Sequence, residues 1–151
     1  MTDRILILSC SSAKKHDHEP MPAIERYDGP AFRVVRKALA DGAIGPDTHI
    51  RIVSAKHGLI GEMEWIRDYD QRMTPARAAE LASSVSLDLY VWFQKHPVCD
   101  GVFVNVGRDY APALAGLGDY CGRHSIPYAE AAGGMGQRLV QMKAWLRGNE
   151  A

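Results

Sequence analysis

Ser9, Cys10, Ser11, Ser12, Lys14 and Lys15 stand together in the stretch "LSCSSAKK", directly behind an apolar run. Hydroxyl and ammonium groups are donors, and successive backbone N–H groups in a turn make an anion nest. That chemistry suits a phosphate or a ribose hydroxyl. It also suits a solvated polar loop, and these residues alone do not choose between the two.

Further clusters follow. "SAKHGLIG" offers Ser54, Lys56 and His57 before Gly58, which permits a sharp turn. His57 could donate to an oxyanion or titrate near neutrality, or be a surface histidine beside a surface lysine. "RDYDQRM" brings Asp68, Tyr69 and Asp70. Asp70 is the candidate catalytic carboxylate, able to orient a water or stabilise a cation; support of the helix start that follows is the alternative. "GRDYAP" supplies Arg108 for a phosphate or carboxylate and Tyr110 for stacking, with Asp109 as a potential helix cap. "GGMGQRL" places Gly133, Gly134 and Gly136 before a helix, where backbone N–H groups approach an anion or where the glycines merely shape the entry turn. Thiol phosphatases also place a cysteine after a strand, but close their loop with an arginine six residues later; His16 occupies that position here. His16 and His18 flank Asp17 with no second ligand cluster at fixed spacing, so neither a metal nor a cofactor is assigned.

The elements that must position these groups follow from the hydrophobic pattern. Ile5 to Leu8 form an unalternating apolar run, as in a strand covered on both faces. Cys10 to Tyr27 read as a long loop, a length that is often functional. Asp28 is the expected cap of a helix that runs to about Ala40 with Phe32, Val35 and Leu39 on one stripe. "THIRIVSA" is the second strand. Thr74 and Pro75 start a long helix carrying Leu81, Val85, Leu89 and Trp92 and ending before Pro97. "GVFVNVG" is the third strand, followed by a glycine-broken helix to about Arg123. "IPYAEA" is a fourth strand, and a last helix aligns Met135, Leu139, Met142 and Leu146.

Strands alternating with helices imply one α/β domain over residues 1–151, with a mainly parallel four- or five-stranded sheet and helices on both faces. Right-handed crossovers then bring the polar strand ends to one edge, beyond which such sheets bind their ligands. The chain has 18 basic and 18 acidic residues, without the net basic bias of a protein that grips duplex phosphates. A small nucleotide or nucleoside is therefore the expected partner ahead of duplex nucleic acid. Three cysteines at no metal-like spacing, no signal-peptide pattern and no long apolar segment lead to the expectation of a cytoplasmic protein away from membranes. The oligomeric state is not legible.

Taken as an ordered set, "LSCSSAKK", "YDGPAFRVVRKAL", "IVSAKHGLI" and "DYDQRM" resemble a family of small, uncharacterised bacterial and phage proteins. Its pattern runs S-C-S with a following Lys, Y-x-G/S-x-x-F-x-x-x-R, S-A-K-x-G-L and Y-D. The resemblance spans Ser9 to Met73 and extends remotely to the uracil-DNA-glycosylase-like α/β fold and to domains of modified-base metabolism. It implies an enzyme of hydrolase type that cleaves or exchanges an N-glycosidic bond, with the base released from a nucleotide, nucleoside or nucleic acid. Asp70 would then serve the sugar, His57 the base, and Ser11 with Lys14 the phosphate. The glycosylase loops G-x-D-P-Y and H-P-S-P are not in the sequence, which speaks against uracil excision from DNA. A nucleotide-binding module without chemistry, and phosphoryl or pyrophosphoryl transfer, are the alternatives.

Overall fold

Ile5, Leu6, Ile7 and Leu8 expose at most 1% of their surface. Burying each such side chain contributes about 1.5–3 kcal/mol, which fixes their strand at the centre of the molecule. In the computed structural model, which describes residues 2–148, that strand is β1 (Asp3–Ser9). There follow β2 (Met21–Pro22), α1 (Ala23–Arg26), α2 (Pro30–Ala40), β3 (Thr48–Ser54), β4 (Gly58–Gly61), β5 (Trp65–Ile66) and α3 (Pro75–Lys95). The second half contains β6 (Cys99–Asn105), a 3₁₀ helix (Arg108–Leu114), α4 (Leu117–Arg123), β7 (Tyr128–Glu130) and α5 (Met135–Leu146).

The main sheet has five strands in the order β4-β3-β1-β6-β7. β1 runs parallel to β3 and β6, and β6 parallel to β7. β4 returns antiparallel to β3, with Ile52 opposite Ile60. The expected parallel α/β architecture is thus present, with an antiparallel edge added. α2 and α5 cover one face, and α3, the 3₁₀ helix and α4 the other. Thr74 caps α3 as expected by accepting from the Arg77 N–H at 3.1 Å, and Leu81, Val85, Leu89 and Trp92 are buried.

Several expectations are corrected. The segment after β1 is not a structureless loop: β2 pairs with β5, and α1 fills the space between. The fully buried Arg26 holds it by donating to the carbonyls of Lys15, Asp17, Glu19 and Ile66. A planar guanidinium with several fixed donors suits this task, because one side chain can bind several carbonyls at once. Asp28 does not cap α2. Gly29 is the N-cap residue, and the Asp28 carboxylate instead pairs with Arg36 at 2.6 Å and Arg33 at 3.2 Å. The helix after β6 divides into a 3₁₀ turn and α4 at Gly116, whose φ of +87° a side chain would oppose. Met135 is largely exposed at the start of α5, so that helix buries its stripe only from its middle onward.

Candidate functional site

The chain leaves β1 toward β3 on one side and later places β6 on the other. The loops after β1 and β6 therefore diverge at the carboxyl edge, which opens a crevice at this reversal of strand order. Two contacts join its lips. The Gly107 N–H donates to Ser9 Oγ at 3.2 Å. The Tyr110 hydroxyl donates to the Cys10 carbonyl at 3.1 Å and lies 3.1 Å from Cys10 Sγ. Cys10 is buried beneath this phenol, and burial pushes the Tyr110 phenol well above its usual range.

Behind the crevice, Ser54 is fully buried. Its hydroxyl oxygen accepts from the Lys56 and His57 backbone N–H groups at 3.2 and 3.1 Å. It also meets the hydroxyls of Tyr27 at 3.2 Å and Tyr69 at 3.0 Å. Burial pushes Tyr27 up to about 12 and Tyr69 higher still, so this hub stays protonated at neutral pH. Ser54 is thus a structural hub and not a free donor for an anion. Tyr69 is ringed by cations and an imidazole: Lys14 Nζ lies 4.8 Å and Lys56 Nζ 5.8 Å from its ring centre, and His57 packs edge-on at 5.4 Å. Desolvation, followed by the Lys56 charge, holds His57 below the usual histidine range.

The Ser11 hydroxyl is also committed to the fold. It donates to the Ala13 carbonyl at 2.6 Å and accepts from the Gly29 N–H at 3.3 Å. Lys14 donates to the Ser11 carbonyl at 3.4 Å. The motif Y-x-G-x-x-F-x-x-x-R is explained in the same terms. Tyr27 belongs to the hub and Phe32 packs on it at 5.2 Å. Gly29 lies where a Cβ would come within 2.9 Å of Ser11 Cβ. Arg36 donates to the carbonyls of Ile24 and Tyr27, both at 2.8 Å.

Two cavities open at this edge and share Cys10 and Ser11. One, of about 390 Å³, has an apolar floor of Pro30, Ala31, Phe32, Val106 and Leu139, with Ser9, Arg108 and Arg138 on its rim. The other, of about 510 Å³, is polar and is lined by Ser12, Lys14, Asp70, Arg72, Asp109 and Tyr110, among others. Both lie within the range that small ligands occupy, about 300–1,000 Å³. Among the described residues no side chain hydrogen-bonds or ion-pairs the Asp70 carboxylate, which is exposed toward the polar cavity.

The structure therefore gathers Ser9, Cys10, Ser11, Ser12, Lys14, Asp70, Arg108 and Tyr110 around one crevice. Lys56, His57 and Tyr69 do not line either cavity; they form the neighbouring cluster around the tyrosine ring. Of the glycines, Gly134 caps α5, with its N–H taken by Gln137 Oε1 at 2.8 Å, and Gly133 has φ +90°. Gly136 lies within α5. The glycine run therefore shapes the entry to α5 and leaves no Gly134 N–H for an anion. It does aim Arg138 toward the crevice, because that guanidinium is held by the carbonyls of Gly133 and Val106 at 2.9 and 3.2 Å.

Three charged residues of these walls were not assigned to the site from the sequence: Asp109, Arg72 and Arg138. Asp109 read as a helix cap, but Gly107 holds that position and leaves the carboxylate to face Asp70's cavity. Its place directly after a strand end was the available signal. His16 is engaged by Asp68 at 2.8 Å, which holds that carboxyl below its usual range. Among the described residues, a group that could hold a metal lies instead at the opposite edge of the sheet, at Asp3, His49 and His96.

No helix among the described residues is long and apolar enough to cross a membrane. No curated protein and no solved structure matches the chain. The pattern of a family of unknown function (DUF6884) matches residues 5–144. Since that match takes in every strand and helix from the first buried residue of β1 to near the end of α5, the chain belongs to this family.

Proposed function

We propose that the crevice binds a nucleotide or nucleoside and that Asp70 promotes cleavage of its N-glycosidic bond. The observation that carries this reading is the division of labour among the motif residues. Tyr27, Gly29, Phe32, Arg36, Ser54 and Tyr69 are engaged in the fold, whereas the Asp70 carboxylate has no partner among the described residues and faces a cavity. The adjoining cavities, which share Cys10 and Ser11, match in character the two halves of such a ligand. The apolar floor beside Phe32 suits a base, and the polar half with Lys14 and Arg72 suits a sugar and its phosphate.

Breaking the N-glycosidic bond develops positive charge on the sugar and negative charge on the base. Asp70 would stabilise the first, or draw a proton from the attacking water. Arg108, on the rim of the apolar half, can donate to the departing base. His57 stands outside both cavities, so the donor role expected of it passes to Arg108 in this reading. Asp109 shares the polar cavity and is available as a second carboxylate.

The test is a screen of nucleosides, nucleoside monophosphates and modified-base oligonucleotides for released base. Any hit is repeated with Asp70→Asn and Asp109→Asn at matched folded concentration. Asp70→Asn is expected to lower turnover about 100-fold or more with ligand affinity retained. Base release that survives this change would overturn the catalytic assignment. Nucleotide binding without base release anywhere in the panel would make the protein a binding module.

A further inference from the structure

Asp3, His49 and His96 come from three distant parts of the sequence and meet at the amino edge of the sheet, opposite the crevice. Asp3 opens β1, His49 is the second residue of β3, and His96 is the C-cap residue of α3. One Asp3 carboxylate oxygen lies 2.9 Å from His49 Nε2 and the other 3.4 Å from His96 Nδ1. The two imidazoles are 4.5 Å apart between ring centres. One possible ligand atom from each residue lies within 4.8 Å of the other two.

We infer that these three residues form a site for a divalent transition metal of the Zn(II) type. Bonds of about 2.0–2.1 Å in a tetrahedral set place ligand atoms roughly 3.4 Å apart. The two carboxylate-to-imidazole separations, 2.9 and 3.4 Å, lie at or just under that spacing, and no two of the three ligand atoms are more than 4.8 Å apart. Two nitrogens and one carboxylate favour zinc, cobalt, nickel or copper over magnesium or calcium, which take oxygen ligands. The framework is fixed before any ion arrives. Two ligands stand on paired strands, and the His96 N–H is held by the Trp92 carbonyl at 3.0 Å. Trp92 stacks on His96 at 4.4 Å and meets His49 edge-on at 5.3 Å. The three side chains keep 22–25% of their surface exposed, which gives an ion a path in and leaves a coordination position for water. An ion here would tie the starts of β1 and β3 to the end of α3, far from the crevice.

The test uses tag-free, chelator-stripped protein titrated with Zn(II), read by calorimetry and by thermal unfolding. One ion per chain with micromolar or tighter affinity is expected, with a rise in melting temperature. Asp3→Asn, His49→Gln and His96→Gln should each weaken binding at least 100-fold, while His16→Gln leaves it unchanged. Affinity should fall on acidification, because the imidazoles must be neutral to ligate. As a check independent of variant folding, Co(II) added to the wild type should broaden the ring signals of His49 and His96 first. Broadening centred on another histidine, Zn(II) binding that persists in the variants, or no binding at micromolar metal would each overturn the site.

Discussion

The phenolic oxygens of Tyr27 and Tyr69 lie 2.5 Å apart, and the Ser54 hydroxyl touches both, at 3.2 and 3.0 Å. This triangle also holds the turn out of β3, because two backbone N–H groups share the same serine oxygen. Ser54→Ala leaves those donors and both phenols short of a partner at a buried position. It is expected to cost about 2–3 kcal/mol, since each unmet buried group costs about 1–3 kcal/mol with partial relief from neighbours. Tyr69→Phe removes one member and should cost about 1 kcal/mol. Chemical denaturation ranks the two, and equal midpoints would show that Ser54 is not the hub.

Gly29 has an ordinary φ of −72°, so alanine is not opposed by backbone conformation there. The obstacle is Ser11, whose Cβ would lie 2.9 Å from the new methyl group. Gly29→Ala is therefore expected to displace the loop after β1 and to cost about 1–3 kcal/mol, as overpacking does. Amide shifts at Ser11 to Ala13 should report the displacement. Nucleotide affinity should fall in the same variant, whereas Gly45→Ala, at a position with open space around it, serves as the control.

His57 should titrate below its usual value of about 6.5 in a ring-proton NMR experiment. Desolvation is the first cause and the Lys56 charge the second, so Lys56→Gln should move the midpoint upward by only part of the shift. Its folded value is depressed, so its contribution to stability is present above about pH 6.5 and is lost as pH falls through the folded value. A midpoint above 6.5 would contradict the arrangement of His57 beside Lys56 and Tyr69.

Acid should destabilise the protein in a second, lower window. Asp3, Asp28 and Asp68 are all held below the ordinary aspartate value of about 3.9, chiefly by His49, Arg33 and His16 respectively. Their folded forms release protons more readily than the unfolded chain, so their contribution is complete above about pH 4 and fades below it. Asp28→Asn should flatten that part of a stability-against-pH curve. An unchanged slope would show that the pairing with Arg33 and Arg36 is screened out in solution.

The strand-helix alternation was legible because β1, β3, α3 and β6 each carry a long apolar signal of one period. β4 was not, because "GLIG" offers only Leu59 and Ile60 between glycines and reads as a turn. β2 and β5 are two residues each and pair through tertiary contact, which no local pattern encodes. Arg26 is a charged residue with no surface at all; its burial depends on four carbonyls, one of them from Ile66. At the crevice, the strand pattern indicated which polar strand ends would lie together, but not the fate of each group. Ser11 and Ser54 had the residue type of anion ligands and are used internally, while Asp109, read as a cap, faces the cavity.

β1 is made first, yet its two neighbours arrive late: Leu6 pairs with Ile50 on one flank and with Phe103 on the other. A nascent chain that has emerged through α3 carries Ile5–Leu8 with one edge unpaired and part of the sheet face uncovered. Closing such distant pairings is slow and leaves apolar strand edges available to other chains meanwhile. The order of synthesis therefore sets a period of vulnerability that ends only when β6 leaves the ribosome. A permuted chain in which β3 is made first would place β1 after β6 and shorten that exposure.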